Sequence, residues 1–161
     1  GIIGAGKISR EVIRISKAFN MNIICNTLNP EKHQDLIKQG IKFVSLDEVL
    51  SNADIITINI PLNEENKNLI SKEKIRLMKK TATFINTSRG ELVDTTELIK
   101  YADENKTFNV GLDIDAENYK DILNIKRNNV IVTPHIAGVT KEAVERMDVE
   151  VANRLVEYIK K

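Results

Sequence analysis

Gly1-Ile2-Ile3-Gly4-Ala5-Gly6-Lys7-Ile8-Ser9 runs from an apolar pair, through a glycine-rich turn, into an amphipathic segment. A G-x-G turn after a strand and before a helix has the layout of a phosphate-binding turn. Gly4 permits the tight turn. Gly6 lets the backbone approach a pyrophosphate with no Cβ in the way, and the helix opening at Lys7-Ile8 offers free N–H groups and a partial positive charge. The third glycine position of the motif holds Ser9, which is small enough for close helix–strand packing. The plain alternative is a glycine-rich turn that binds nothing.

Outward from this turn, short apolar runs alternate with amphipathic ones. Strands are expected at Ile2-Ile3, Ile23–Cys25, Lys42–Val44, Asp54–Ile58, Ala82–Asn86, Phe108–Ile114 and Val130–Val132. Helices are expected over Lys7–Phe19 (apolar face Ile8, Val12, Ile15, Phe19), Glu31–Gln39 (ended by Gly40) and Leu46–Ser51. Others are expected from Ser71 to Lys79, from an Asp94 or Thr95 cap to Glu104, and from Thr140 to Ile159. Leu62–Ile70 reads as irregular, and Asn118–Asn129 as loop with room for a short helix. About seven strands that are continuous apolar runs, separated by helices, describe a doubly wound, mostly parallel α/β sheet with helices on both faces.

Length and composition narrow the function. The 161 residues fit one domain, with 42% hydrophobic and 29% charged residues. A net charge of +1 and 4% aromatics argue against nucleic acid and anionic membranes. No apolar run reaches the roughly 18 residues of a membrane span. Cys25, alone and within an apolar run, reads as a buried strand thiol and fits a reducing, cytoplasmic compartment. The chain opens directly on a strand pattern, which suggests one domain of a longer protein. The final helix carries Val144, Met147, Val151, Leu155 and Ile159 on one stripe, as if to meet a second domain.

Further chemistry-bearing residues follow the strands. The second strand ends Cys25-Asn26-Thr27-Leu28-Asn29, without the acid that usually holds the adenine ribose. Thr27 or Asn29 is left for that hydrogen bond. No neighbouring arginine in the sequence offers itself to a 2′-phosphate, and Lys32 and His33 are the nearby cations. The balance favours NAD and leaves NADP open. Later strands lead into Ile58-Asn59-Ile60-Pro61-Leu62, Asn86-Thr87-Ser88-Arg89-Gly90-Glu91-Leu92-Val93-Asp94, Gly111-Leu112-Asp113-Ile114 and Thr133-Pro134-His135-Ile136-Ala137-Gly138.

Together, in this order and over essentially the whole chain, these segments resemble the cofactor domain of the D-isomer-specific 2-hydroxyacid dehydrogenases. The Asn-Thr-Ser-Arg-Gly and Thr-Pro-His-Ile-Ala-Gly segments carry most of the specificity. The resemblance implies a Rossmann-type domain that binds NAD at Gly4, Gly6, Lys7, Ile8, Thr27, Pro61, Asn66, Thr87, Arg89, Asp113, His135 and Gly138. It implies His135 as acid/base and Arg89 as the anchor of a small 2-hydroxy acid, whose carboxylate a guanidinium fork can grip bidentately. Asp113 would hold the nicotinamide end. A glutamate beside the histidine is also implied, to favour the imidazolium. The spacing lands on Asn118, so Glu117 is the preferred partner, with Asn118 and Asp115 as alternatives.

No metal is expected. A substrate domain outside this chain and a homodimer are implied, and the Ile136-Ala137-Gly138 run leans to the glycerate and phosphoglycerate branch. The isolated domain should then turn over little or no substrate. A non-catalytic NAD(H) sensor or corepressor on the same fold is the rival reading.

Overall fold

A computed structural model describes residues 1–115, 120–123 and 126–160. Strands β1 (Ile2–Ile3), β2 (Ile24–Asn26), β3 (Lys42–Phe43), β4 (Ile55–Ile58), β5 (Thr83–Asn86), β6 (Asn109–Asp113) and β7 (Val130–Thr133) form one sheet, ordered β3-β2-β1-β4-β5-β6-β7. Every pairing is parallel, and the register runs Ile3 to Ile58, Ile58 to Asn86, and Asn86 to Leu112. The chain winds outward from β1 to β3, then returns to place β4 against β1. The sheet therefore has its topological switch between β1 and β4, where ligands of open α/β sheets bind.

Both faces are covered, which explains the unbroken apolar strands. One face packs Ile2, Ala5, Ile13, Cys25, Leu36 and Ile41 beneath α1 (Lys7–Ala18) and α2 (Gln34–Lys38). The other holds the larger core, including Ile56, Ile58, Phe84, Leu98 and Phe108, beneath α3 (Leu46–Asn52), α4 (Lys72–Ile75) and α5 (Thr95–Glu104). Within it the Tyr101 and Phe108 rings meet edge-on at 4.9 Å, and the Tyr101 hydroxyl donates to Met78 O. α6 (Lys120–Leu123) and α7 (Lys141–Ile159) complete the chain.

The strands fall where the apolar runs place them; the helices differ in instructive ways. α1 buries Ser9 and Ile13, while Ile8 (65% exposed), Ile15 and Phe19 (72% exposed) face outward. The close approach needed at Ser9 sets the rotation of this helix. The segment expected as one helix over Glu31–Gln39 is a 3-10 turn, Pro30–Lys32, followed by α2. His33 interrupts it with φ −116° and ψ 43°, its ring stacked 6.0 Å from Phe43. Gly40 ends α2 at φ +83°, as expected of a glycine there.

The helix expected to run from Ser71 to Lys79 stops at Ile75. Its last bonds tighten to Leu77 N–Lys74 O and Met78 N–Ile75 O, and Met78 is buried. α3 has a full capping box between Ser45 and Glu48 that the sequence reading passed over. Asp94, not Thr95, caps α5 by accepting from Glu97 N, while the Thr95 hydroxyl turns inward to Gly90 O and Val93 O. α7 is capped by Thr140 as expected, and its stripe from Met147 through Val151 and Leu155 to Ile159 is exposed. No described helix is long and apolar enough to cross a membrane.

Candidate functional site

The parallel register brings the carboxyl ends of β1, β4, β5, β6 and β7 to one edge, and the predicted site residues follow those ends. At β1, Gly4 has φ +102°, and a Cβ there would sit 2.7 Å from Asn59 O and Ile60 Cγ2. Glycine is required by both torsion and space. Gly6 is different: a Cβ there would meet no protein atom within 4 Å. Packing therefore does not demand glycine at this position, and the space beside it is open. Gly6 is also the N-cap of α1, with no side-chain cap and no acid in the first turn. By contrast α3, α5 and α7 have both a capping side chain and an acid in the first turn. The amides of Lys7 and Ile8 thus lie in a positive, uncompensated first turn, which suits a phosphate. These residues fit a dinucleotide.

At β2, Gly4 N donates to Asn26 O, which sets Thr27 beside the glycine turn. The structure also brings in an arginine that sequence order hides. Arg10, one turn into α1, forms an ion pair with Asp35, and its Nη2 lies 3.3 Å from His33 Nδ1. At β4, Asn66 Nδ2 donates to Pro61 O at 2.7 Å, and Asn63 and Asn66 each accept the other's backbone N–H. Asn66 therefore spends most of its side chain on shaping the Pro61 loop.

At β5, buried Asn86 organises the next turn. Its Oδ1 accepts from Ser88 N and its Nδ2 donates to Arg89 O, while the Ser88 hydroxyl donates to Ile58 O. Thr87 and Arg89 are thereby held exposed at the edge.

At β6 and β7 the geometry is tighter still. Asp113 is 3% exposed, and its carboxylate accepts from the Thr133 hydroxyl, from Ile136 N at 2.8 Å and from Ala137 N at 2.8 Å. Burial alone would push this carboxyl up. The Thr133 hydroxyl, the two amides and nearby His135 outweigh burial and hold it below its ordinary value of 3.8. Three bonds fix the loop that bears His135, whose backbone is left-handed at φ +53°. That conformation is uncommon for a non-glycine residue and needs such support. His135 Nε2 then lies 3.4 Å from Arg89 Nη1. Gly138 closes the loop with open space around its Cα.

The candidates among the described residues are thus brought to one edge. Glu117 and Asn118 lie outside the described residues, and Asp115 is exposed. Among the described residues there is no cluster of metal-ligating type. A cavity of about 620 Å³, lined by Gly1, Ile24, Asn52, Ile55 and Thr57 among others, opens at the opposite, amino edge of the sheet. It takes in none of the catalytic candidates. Asn86 and Thr133 carry no sequence signal of these roles, because each acts on backbone or on another side chain.

The model of the family described as "D-isomer specific 2-hydroxyacid dehydrogenase, NAD binding domain" matches residues 1–137. A glyoxylate reductase of Thermococcus litoralis is 36% identical over 163 residues, covering 99% of this chain and 48% of that protein. The glyoxylate reductase of Pyrococcus furiosus is 36% identical over 159 residues, covering 98% and 47%. Among solved structures, an acyclic imino acid reductase in complex with NADPH and D-Arg has a TM-score of 0.88 at 32% identity, covering 99% of this chain and 50% of its own. D-lactate dehydrogenase from Aquifex aeolicus, complexed with NAD and lactic acid, has a TM-score of 0.83 at 32% identity, covering 99% and 53%. The chain spans about half the length of the relatives it matches. With seven parallel strands, the glycine turn at their switch point and this family match in agreement, the chain belongs to the D-isomer specific 2-hydroxyacid dehydrogenase family, to which it contributes an NAD binding domain.

Proposed function

We propose that this chain is the cofactor half of an NAD-dependent oxidoreductase that interconverts a D-2-hydroxy acid and its 2-oxo acid. The observation that carries the proposal is the placement of Arg89 Nη1 3.4 Å from His135 Nε2. An anion anchor and a proton-transfer group converge at the carboxyl edge, beyond a turn suited to pyrophosphate. Gly4, Gly6, Lys7 and Ile8 would receive the phosphates, Thr27 the adenine ribose, and Pro61, Asn66, Thr87 and Gly138 the surrounding surface. When bound, NAD supplies the hydride acceptor at its nicotinamide ring. The residues of this chain do the rest. Arg89 holds the substrate carboxylate and oxygen, and His135 takes the hydroxyl proton in oxidation and returns it in reduction. Asp113 holds the His135 loop and would lie toward the nicotinamide end. Glu117 is proposed as the acid that steadies the imidazolium.

The substrate domain lies outside this chain, and the cleft between the two would close over the acid. The exposed apolar stripe of α7 supports such a neighbour. A homodimer, a cytoplasmic setting and no nucleic-acid or membrane partner complete the proposal, with NAD preferred to NADP. The proximity of His135 to Arg89, an acid/base beside an anion anchor, favours catalysis over a sensor role. The test is steady-state reduction of glyoxylate and other 2-oxo acids by the full-length protein with NADH. Saturable turnover yielding the D isomer of chiral products is expected. Tight NADH binding with no turnover on any 2-oxo acid would favour the sensor.

A further inference from the structure

Among the described residues, two buried side-chain atoms have no hydrogen-bond partner: Ser9 Oγ and Asn59 Nδ2. Both lie at the glycine turn. Ser9 has a steric reason to be there, because the first turn of α1 must pack close to the sheet and serine is small. Asn59 has no such reason. It follows β4 at the topological switch, its N–H bonds Ile3 O, and its carbonyl lies against Gly4. Strand alternation sends Ile56 and Ile58 into the larger core and turns Thr57 and Asn59 toward the α1 face. There the Thr57 hydroxyl donates to Asn59 Oδ1 at 3.4 Å. The oxygen end of the amide is occupied, and its nitrogen end is not. A buried N–H donor without a partner is costly, and an apolar side chain of the same shape would avoid that cost.

We infer that Asn59 is a cofactor-binding residue whose amide nitrogen turns to donate to a phosphate oxygen of the dinucleotide held at Gly4–Gly6. The inference rests on the dinucleotide reading above and adds a residue to it. An amide donor beside an uncapped helix N-terminus gives the anion a second, directional contact.

NADH fluorescence titration and ligand-free melting of the full-length protein test it in Asn59→Leu and Asn59→Asp. Asn59→Leu should weaken NADH binding about tenfold, the loss of one charge-assisted hydrogen bond, while the ligand-free melting temperature stays level or rises. Asn59→Asp keeps the shape and should bind more weakly still at low salt, recovering toward the Leu variant as salt screens the repulsion. Both losses should carry over to ADP-ribose, which keeps the pyrophosphate. Wild-type affinity in either variant, or a lower melting temperature with affinity unchanged, overturns the inference and assigns Asn59 a structural role. Should Asn59→Leu not fold, the salt dependence of Asn59→Asp decides. Absence of saturable NADH binding in the wild type would instead overturn the dinucleotide reading itself.

Discussion

Arg89 and His135 stand 46 residues apart in sequence, yet their side-chain nitrogens lie 3.4 Å apart. Two backbone clamps make the meeting possible. Asn86 holds the Ser88-Arg89 turn at the end of β5, and Asp113 holds the Ile136-Ala137 turn past the end of β7. Each clamp is a buried polar group at a strand end, where the sheet fixes its position. The Arg89 and His135 side chains can then remain exposed without being loose.

Asp113→Asn should cost about 1–3 kcal/mol, because the amide can present only one acceptor to two N–H groups and a hydroxyl. The folded carboxyl lies below its ordinary 3.8. Its contribution is therefore present above that value and lost as pH falls through the lower folded value. Melting curves should show the gap between wild type and variant widest near neutrality and closing only in strong acid. A gap that closes between pH 7 and 5 would contradict this reading.

The two glycines of the turn should behave in opposite ways. Gly4→Ala meets backbone at 2.7 Å in a left-handed conformation and should destabilise the fold by about 1–3 kcal/mol. Gly6→Ala meets nothing within 4 Å. It should melt within a few degrees of wild type, since alanine in place of a glycine N-cap costs on the order of 1 kcal/mol or less, and yet bind NADH more weakly. Equal loss of stability in both variants would remove the reason for assigning Gly6 to a ligand.

Asn86→Ala should lower kcat/KM by about tenfold or more through misplacement of Arg89. It should also lower stability by about 1–3 kcal/mol, from the backbone groups left unpaired. An unchanged kcat/KM would show that the turn holds its shape without the amide.

Cys25 is fully buried, with its thiol against Gly4 O at 3.3 Å, and burial pushes its pKa up to about 11. The folded protein should resist alkylation by iodoacetamide at pH 8 and react fully once unfolded. Rapid labelling of the native state would show that the strand opens.

The strand layout was legible because parallel strands buried on both faces are short apolar runs, and the glycine turn named the sheet edge where ligands bind. What could not be read depended on tertiary contact. α1 buries Ser9 and Ile13 and leaves Ile8 exposed, a rotation that the spacing of its apolar residues does not reveal. His33 breaks a helix pattern through a ring contact with Phe43, far along the chain. Met78 tightens the end of α4 by entering the core. In the candidate site, Arg89, Asp113 and His135 stand out in the sequence through the family resemblance that their segments carry. Asn86, Thr133 and Asn59 were not, because an asparagine or threonine after a strand reads as ordinary turn chemistry until its partners are known.

The most direct test is His135→Gln in the full-length protein, assayed for turnover and NADH affinity together. Turnover should fall by about 10²–10⁴-fold, the usual contribution of a positioned acid/base, while the NADH dissociation constant stays within about threefold of wild type, since the phosphate turn is untouched. A variant that reduces 2-oxo acids as fast as the wild type would contradict the assignment of chemistry to this edge of the sheet.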